Sequence, residues 1–421
     1  MYLNVTILFN YKFIKMKKLK FNLLVTLIFT VTMIFVSSCG DDTPDVIDPG
    51  TSTTELLAKK FTAAPELDGQ IDEMWSQCQT LEGTTVVPDA GSRGNADFNG
   101  DGSAGPVGVF DPYTGESNNF KLRAGTFGDR IYFLLQWDDD ADSKDRQSWY
   151  FDPSDKKWKG QHKYANDKND KYYEDKFAFL WAATDVAGFA ANTCYATCHQ
   201  GLTVTDPSQK ATRHYTNNPG EVVDMWHWKR VRCTYPPTTV DDQQMVYKEN
   251  TGIADVNGRT GDEGDKGYHG NSQKLALDGT GAEVSVPLYV IPGKTDYNWI
   301  TKDEIENGTA KLITGVSSDG ILSYDGGTIN PADGGFEAAT GNKRVPSVWV
   351  ENFTGSKADI AVAANFTYDG WVLEFSRKLD TGHADDVKFD TSKDFPFGLA
   401  IFNNAAIAHE IKTNLLLKFE K

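Results

Sequence analysis

The strongest constraint in this sequence is a series of short β-branched and aromatic runs, at 130–137, 176–181, 284–291, 371–377, 397–402 and 415–419, with no helical period between them. Trp371-Val372-Leu373-Glu374-Phe375-Ser376-Arg377 alternates with period two, as a strand with two differently packed faces requires. Long Gly/Asp/Asn-rich stretches at 86–119, 249–275 and 316–345 read as loops. The pattern predicts a mainly β chain, an antiparallel β-sandwich over 61–421 with long loops that carry function or interaction surface.

Residues 1–38 read as a leader. Lys17, Lys18 and Lys20 form a basic start, and 21–36 is apolar apart from Asn22, Thr26, Thr30 and Thr32. This is the order of a secretory signal peptide, and the run is shorter than the ~20 residues of a membrane span. Met16-Lys17-Lys18 would itself serve as a start. Val36-Ser37-Ser38-Cys39 has the form of a lipobox, in which Cys39 is acylated and becomes the mature N-terminus. Loss of the leader takes five of the 42 basic residues and none of the 59 acidic ones, moving the formal charge from −17 to −22. Such a chain does not suit nucleic acid and prefers cationic partners. Gly40-Asp41-Asp42 resembles the start of lipoproteins sent to the outer membrane, and the polar stretch 39–60 reads as a flexible tether. The expected location is the bacterial cell envelope, with attachment to the outer membrane through lipid.

The sharpest motif is Cys194-Tyr195-Ala196-Thr197-Cys198-His199. Two thiols followed at once by His suit covalent haem attachment: Cys194 and Cys198 add to the vinyl groups and His199 binds the iron. The usual spacing is two residues between the cysteines, and here it is three. A Cys194–Cys198 disulfide with a surface His is the competing reading. A zinc site lacks a second Cys/His pair to complete a tetrahedron. With Cys39 assigned to lipid, Cys78 and Cys233 are left over as one candidate disulfide. In Asp224-Met225-Trp226-His227-Trp228-Lys229, alternation puts Trp226 and Trp228 on one face and Met225, His227 and Lys229 on the other; the two indoles would either wall a flat cofactor or join the core. Asp97-Phe98-Asn99-Gly100-Asp101-Gly102-Ser103 matches the first half of a Ca²⁺-binding loop, but Gly108 stands where the bidentate Glu belongs. Gly-x-Ser-x-Gly and His-Glu-x-x-His are both absent, and Asp385 and Asp386 read as orienting a turn or an arginine.

Four segments carry a resemblance. They are Phe61 to Trp75, with Leu67-Asp68-Gly69-Gln70-Ile71-Asp72; Asn218-Pro219-Gly220 leading to Asp224–Lys229; Arg377 to Asp386; and Phe397 to Asn404. Together with the Cys-x3-Cys-His segment they resemble, in order, the haem-binding domains related to ethylbenzene dehydrogenase and to cytochrome c-552/DMSO reductase-like proteins. The resemblance implies a β-sandwich holding one haem, non-covalently in the best-understood members and through axial ligands that include Met and Lys. His214 stands where a Met would be, and the late ligand position offers His409 and Lys412. The residues of this chain favour covalent c-type haem over b-type. The expected function is electron transfer with a redox partner protein in the periplasm or at the outer membrane, not substrate turnover. The alternatives are a surface carbohydrate-binding lipoprotein, since the Leu-Asp-Gly-x-Ile-Asp opening and many Trp suit sugar stacking, and a structural lipoprotein with stapled loops. The anchor has a direct check. Cys39→Ser should move the protein from the membrane to the soluble fraction, and unchanged retention would exclude lipidation at Cys39.

Overall fold

The computed structural model describes residues 49–87, 113–161, 171–197, 214–234, 238–249, 258–337 and 343–421. Thirteen strands make the principal sheet: β1 (Thr51–Ser52), β2 (Glu55–Lys60), β3 (Thr80–Val86), β4 (Ser117–Phe127), β5 (Arg130–Trp137), β6 (Lys176–Ala182), β7 (Val222–Lys229), β8 (Thr239–Val246), β9 (Arg259–Gly261), β10 (Ile360–Thr367), β11 (Gly370–Lys378), β12 (Phe395–Phe402) and β13 (Glu410–Phe419). Their order is β1-β3-β13-β2-β4-β5-β11-β10-β8-β7-β6-β12, with β9 on β8. β12 also pairs with β13, so the sheet closes and its two halves face each other as a mainly β sandwich. Most pairs are antiparallel, while β2 runs parallel to both neighbours.

Alternation decides what each strand buries. On β5, Ile131, Phe133, Leu135 and Trp137 point into the sandwich, and on β11 Trp371, Leu373 and Phe375 join them. From the opposite half come Phe177, Phe179, Trp181, Trp226 and Trp228. Phe133 stacks on Phe375 at 5.2 Å between ring centroids and meets Phe179 edge-on at 5.8 Å, so aromatic contacts bridge the two halves. Burying a side chain such as Phe contributes about 1.5–3 kcal/mol relative to leaving it in water.

The segment 61–75 serves this sandwich from outside. Trp75 lies on the outer face of β5 and β11 with Tyr132, Leu134 and Val372. The buried Glu374 carboxylate accepts from Trp75 Nε1 at 2.9 Å and from the backbone N–H of Gly69 at 3.0 Å. Gly69 has φ +76, and a Cβ there would stand 3.0 Å from Asn365 Cβ, so glycine suits this tight turn.

Several expectations need correction. The chain enters the sheet before Phe61: Leu56 and Ala58 of β2 are core residues, so 55–60 belongs to the fold and not to a tether. The predicted strand 284–291 is two strands, Glu283–Val286 and Tyr289–Val290, interrupted at Pro287-Leu288. Short strands also occupy the supposed loops, at Tyr268–Gly270, Gln273–Ala276, Leu322–Tyr324 and Gly327–Ile329. A satellite core of Trp149, Phe151, Trp158, Val286, Val290, Ile313, Leu322 and Phe336 explains part of that order. Cys78 and Cys233 are free buried thiols. Cys78 packs with Trp75 outside the sheet and Cys233 inside the sandwich, so β5 and β11 stand between their clusters. Burial pushes both thiols up to about 12. No helix among the described residues is long and apolar enough to cross a membrane.

Candidate functional site

Strands β6, β7, β8 and β12 carry buried residues on both faces. Trp226 and Trp228 take the inner one: both are fully buried, Trp228 meets Trp371 edge-on at 5.0 Å, and Trp226 meets Phe133 at 5.8 Å. They are core indoles. The alternative that they wall a cofactor directly is corrected by the aromatic contacts around them.

The outer face has a different character. Register aligns Gly398 with Leu180, Ala400 with Ala178, Leu180 with Met225 and Ala178 with His227. Gly398, Ala400, Ala178 and Ala182 leave a low floor around Leu180, bordered by Met225 and, on β8, Met245. Over it lie helix α1 (Phe189–Asn192) and the 3-10 turn Thr193–Ala196, the latter packed on β6, β12 and β13. Ala405, Ala408, Val87 and Tyr113 complete the described part of this second apolar layer, against which Cys194 packs. Glu221 fastens α1 to the Asn218-Pro219-Gly220 turn by accepting from the N–H groups of Ala187, Asn217 and Asn218. That is the structural purpose of this motif.

The turn bearing Cys194 sits tightly on β12. Thr193 has φ +43, unusual for a β-branched residue, and its buried Oγ1 has no hydrogen-bond partner among the described residues. A Cβ on Gly398 would lie 3.0 Å from that Oγ1. The absence of a side chain at 398 is what lets Cys194 approach the floor.

Two imidazoles flank one ring at the edge of the floor. Phe402 stacks on His409 at 4.7 Å and on His227 at 5.6 Å. His409 Nδ1 lies 2.7 Å from the Ile407 carbonyl, so this nitrogen donates and Nε2 keeps the lone pair. Burial lowers the His409 pKa to about 4, which leaves the ring neutral near pH 7. His227 Nδ1 is 2.8 Å from Arg259 Nη2. A guanidinium only donates, so the neutral ring carries its hydrogen on Nε2, and that buried atom has no partner among the described residues. Burial, then the charges of Lys229 and Arg259, hold His227 well below the usual histidine range.

The same edge is cationic. Lys229 pairs with Asp241, and Arg232 Nε is 2.6 Å from Glu174 Oε1. Lys176 lies 4.0 Å from the Phe402 ring centroid and donates to the Ala406 carbonyl at 3.1 Å, with no carboxylate in ion-pair range among the described residues. Burial, then Arg232, push its ammonium well below the usual lysine range.

A family model described as ethylbenzene dehydrogenase matches residues 72–413. The chain belongs to the ethylbenzene dehydrogenase family. The segments that carried the resemblance divide the work of this fold: 61–75 and 377–386 brace the sandwich, whereas 218–229 and 397–404 build the floor and fasten its cover. Two similar solved structures are a family 9 carbohydrate-binding module from Caldicellulosiruptor kristjanssonii with glucose and one with cellotriose. The first has 7% identity and a TM-score of 0.29, covering 87% of this chain and 95% of that one. The second has 8% identity and a TM-score of 0.26, covering 87% and 93%. No curated protein matches.

Of the anticipated site residues, Cys194 and His409 share the outer layer. His214 is at its border: its carbonyl accepts from the Gly258 N–H at 2.6 Å, and the next residue, Tyr215, donates to the Thr197 carbonyl at 3.1 Å, beside the Cys194 turn. Lys412 is elsewhere, opposite Leu399 and reaching toward Gly83 of β3. Cys39, Cys198, His199 and the Asp97–Ser103 loop lie outside the described residues. His227, Met245 and Lys176 were not anticipated. Alternation along β7 already puts His227 on the face opposite Trp226 and Trp228, but does not mark it as part of a site. The seating of the turn is testable through Gly398→Val, which should lower stability by about 1–3 kcal/mol in thermal or denaturant unfolding. Wild-type stability would show that the Cys194 turn does not rest on β12.

Proposed function

We propose that the outer layer holds a haem and that the protein is an electron carrier of the bacterial envelope. In this reading it is an accessory or carrier protein, anchored through acylated Cys39, that exchanges electrons with a redox partner and turns over no substrate. The observation that carries it is the meeting, at one outer layer, of half-buried Cys194, of His409 stacked on Phe402 with its Nε2 lone pair, and of Met225 and Met245 at the border of the floor.

The donor chemistry fits. A bound haem would supply one-electron exchange at its iron. His409 is the favoured protein ligand, because the Ile407 carbonyl accepts from Nδ1 and fixes the tautomer, as carbonyl and carboxylate acceptors do for metal-binding histidines. Its partner would come from His199, His214, Met225, Met245 or Lys176; Met raises the potential relative to His. Cys194, with Cys198 and His199 following in sequence, supplies the order needed for covalent attachment. With Lys229 and Arg232 held by Asp241 and Glu174, Lys176 and Arg259 are the basic groups this edge would offer to the acidic groups of such a cofactor. Trp226 and Trp228 act from behind, keeping the strands that bear the floor packed and dry. The carbohydrate alternative draws no support from Trp75, Trp226 or Trp228, which are buried and cannot stack on a sugar.

The test is protein matured in a host with haem-attachment machinery. A haem-stained denaturing gel should show a band, intact mass should show one added haem, and both should vanish in Cys194→Ala/Cys198→Ala. His409→Ala should shift the reduced spectrum and the potential. A spectrum unchanged in both His409→Ala and His214→Ala would remove these two residues as ligands. An unstained wild-type band, two protons lighter than the reduced chain, would identify a Cys194–Cys198 disulfide instead.

A further inference from the structure

The Arg377 to Asp386 segment leads to a second donor cluster, built on different residues from the layer above and independent of the haem reading. It joins Asp359, between the 3-10 turn Ser356–Ala358 and β10, to His383 and Asp386 in the loop after β11. His383 Nδ1 is 3.0 Å from Asp359 Oδ2 and 3.6 Å from Asp386 Oδ2. The three donor atoms all lie within 4.8 Å of one another. A tetrahedral ion with bonds of about 2.0–2.1 Å to N and O holds its ligand atoms about 3.3 Å apart, between the two measured separations.

The cluster is braced as metal ligands usually are. Thr381 Oγ1 donates to Asp386 Oδ2 at 2.5 Å and accepts from the His383 N–H at 3.2 Å, so one hydroxyl orients two of the three residues. Asp386 is buried, whereas His383 is 43% exposed, which gives the cluster a wall and a mouth.

Beneath it buried carboxylates outnumber cations. Asp224, Asp242, Asp262 and Asp386 are buried beside two cations, Arg377 and Lys357. Arg377 Nη1 is 2.7 Å from Asp224, 3.4 Å from Asp386 and 3.9 Å from Asp242, so it already fills the cation position among these three carboxylates. Even so, neither oxygen of Asp242 and not Oδ1 of Asp386 has a hydrogen-bond partner among the described residues. Burial and the surrounding carboxylates push Asp242 well above the usual range and Asp262 up to about 8, so protons relieve part of this crowding; Asp386, shared between the inner group and the mouth, is the carboxylate that also faces His383 and Asp359 on the outer side.

We propose that Asp359, His383 and Asp386 bind one divalent transition metal ion of the zinc class, with a coordination position left to solvent. The imidazole selects such an ion over Ca²⁺ or Mg²⁺, which take oxygen ligands. The ion would clamp the loop after β11 to the start of β10 and, through Asp386 and Arg377, brace Asp224 of β7.

The test is isothermal titration of tag-free, chelator-treated mature protein with ZnCl₂, together with thermal unfolding in Zn²⁺ or Ca²⁺. The expected result is one Zn²⁺ per chain, a higher unfolding temperature with Zn²⁺ and not with Ca²⁺, and about a tenfold or greater loss of Zn²⁺ affinity in His383→Ala and in Asp359→Asn. Both substitutions are near the surface, and the metal-free variants should unfold like metal-free wild type. No Zn²⁺ binding would overturn the proposal. So would Zn²⁺ binding undiminished in His383→Ala, which would place the ion elsewhere, or a preference for Ca²⁺ insensitive to His383, which would indicate an all-oxygen site.

Discussion

Everything distinctive about this molecule depends on one half of its sandwich being buried twice. Strands β6, β7 and β12 put Phe177, Phe179, Trp181, Trp226, Trp228 and Phe397 against the opposite half, then turn Gly398, Ala400, Ala178, Met225 and His227 toward a second layer. The strict two-residue period of a strand makes these demands inseparable, because a slip of one residue would exchange the faces. The bulky inner set fills the core at close packing, while the small outer set leaves height for the Cys194 turn. Removal of one inner aromatic would cost about 3–5 kcal/mol and would also disturb the floor on the reverse side.

Electrostatics follows the same division. Near the floor, Lys176, Lys229, Arg232 and Arg259 crowd around His227, and burial together with their charge keeps the imidazole neutral. At the other end of β7, Asp224 meets Asp242, Asp386 and Arg377, the guanidinium lying 4.7 Å from the Trp226 ring centroid. The acidic composition conceals this local cationic edge, which sits in a chain whose formal charge is −17. Basic groups gather at one end of β7 and carboxylates at the other.

The fold was legible where side-chain period and burial coincide. The boundaries of β5 and the alternation of β11 could be read because each buries a regular set of large residues. The short strands at 322–324 and 327–329 escaped notice because Gly and Asp dominate there and their order comes from distant partners such as Trp158 and Phe336. Cysteine parity suggested a Cys78–Cys233 bond, yet parity carries no information about a sheet lying between two thiols. At the candidate site, Cys194 and His409 were visible as chemistry-bearing residues. The face of His227 was legible from alternation but its neighbours were not; Met245 ended a polar run, and Lys176 looked like an ordinary strand-opening lysine until the closed sheet brought them to one side. Asp386 was read as orienting an arginine, and its position 3.4 Å from Arg377 agrees with that.

The central claim is that the outer layer is a haem site and not merely a second apolar core. In that reading a flat cofactor joins Cys194, the imidazoles of His409 and His227 that stack on Phe402, and the glycine and alanine positions of the floor. The most direct measurement is the absorption spectrum of wild-type protein produced with haem and the attachment machinery, oxidised and then reduced with dithionite. The account predicts a Soret band at one haem per chain, with sharpened visible bands on reduction. A folded, fully processed protein that is colourless under those conditions would contradict it.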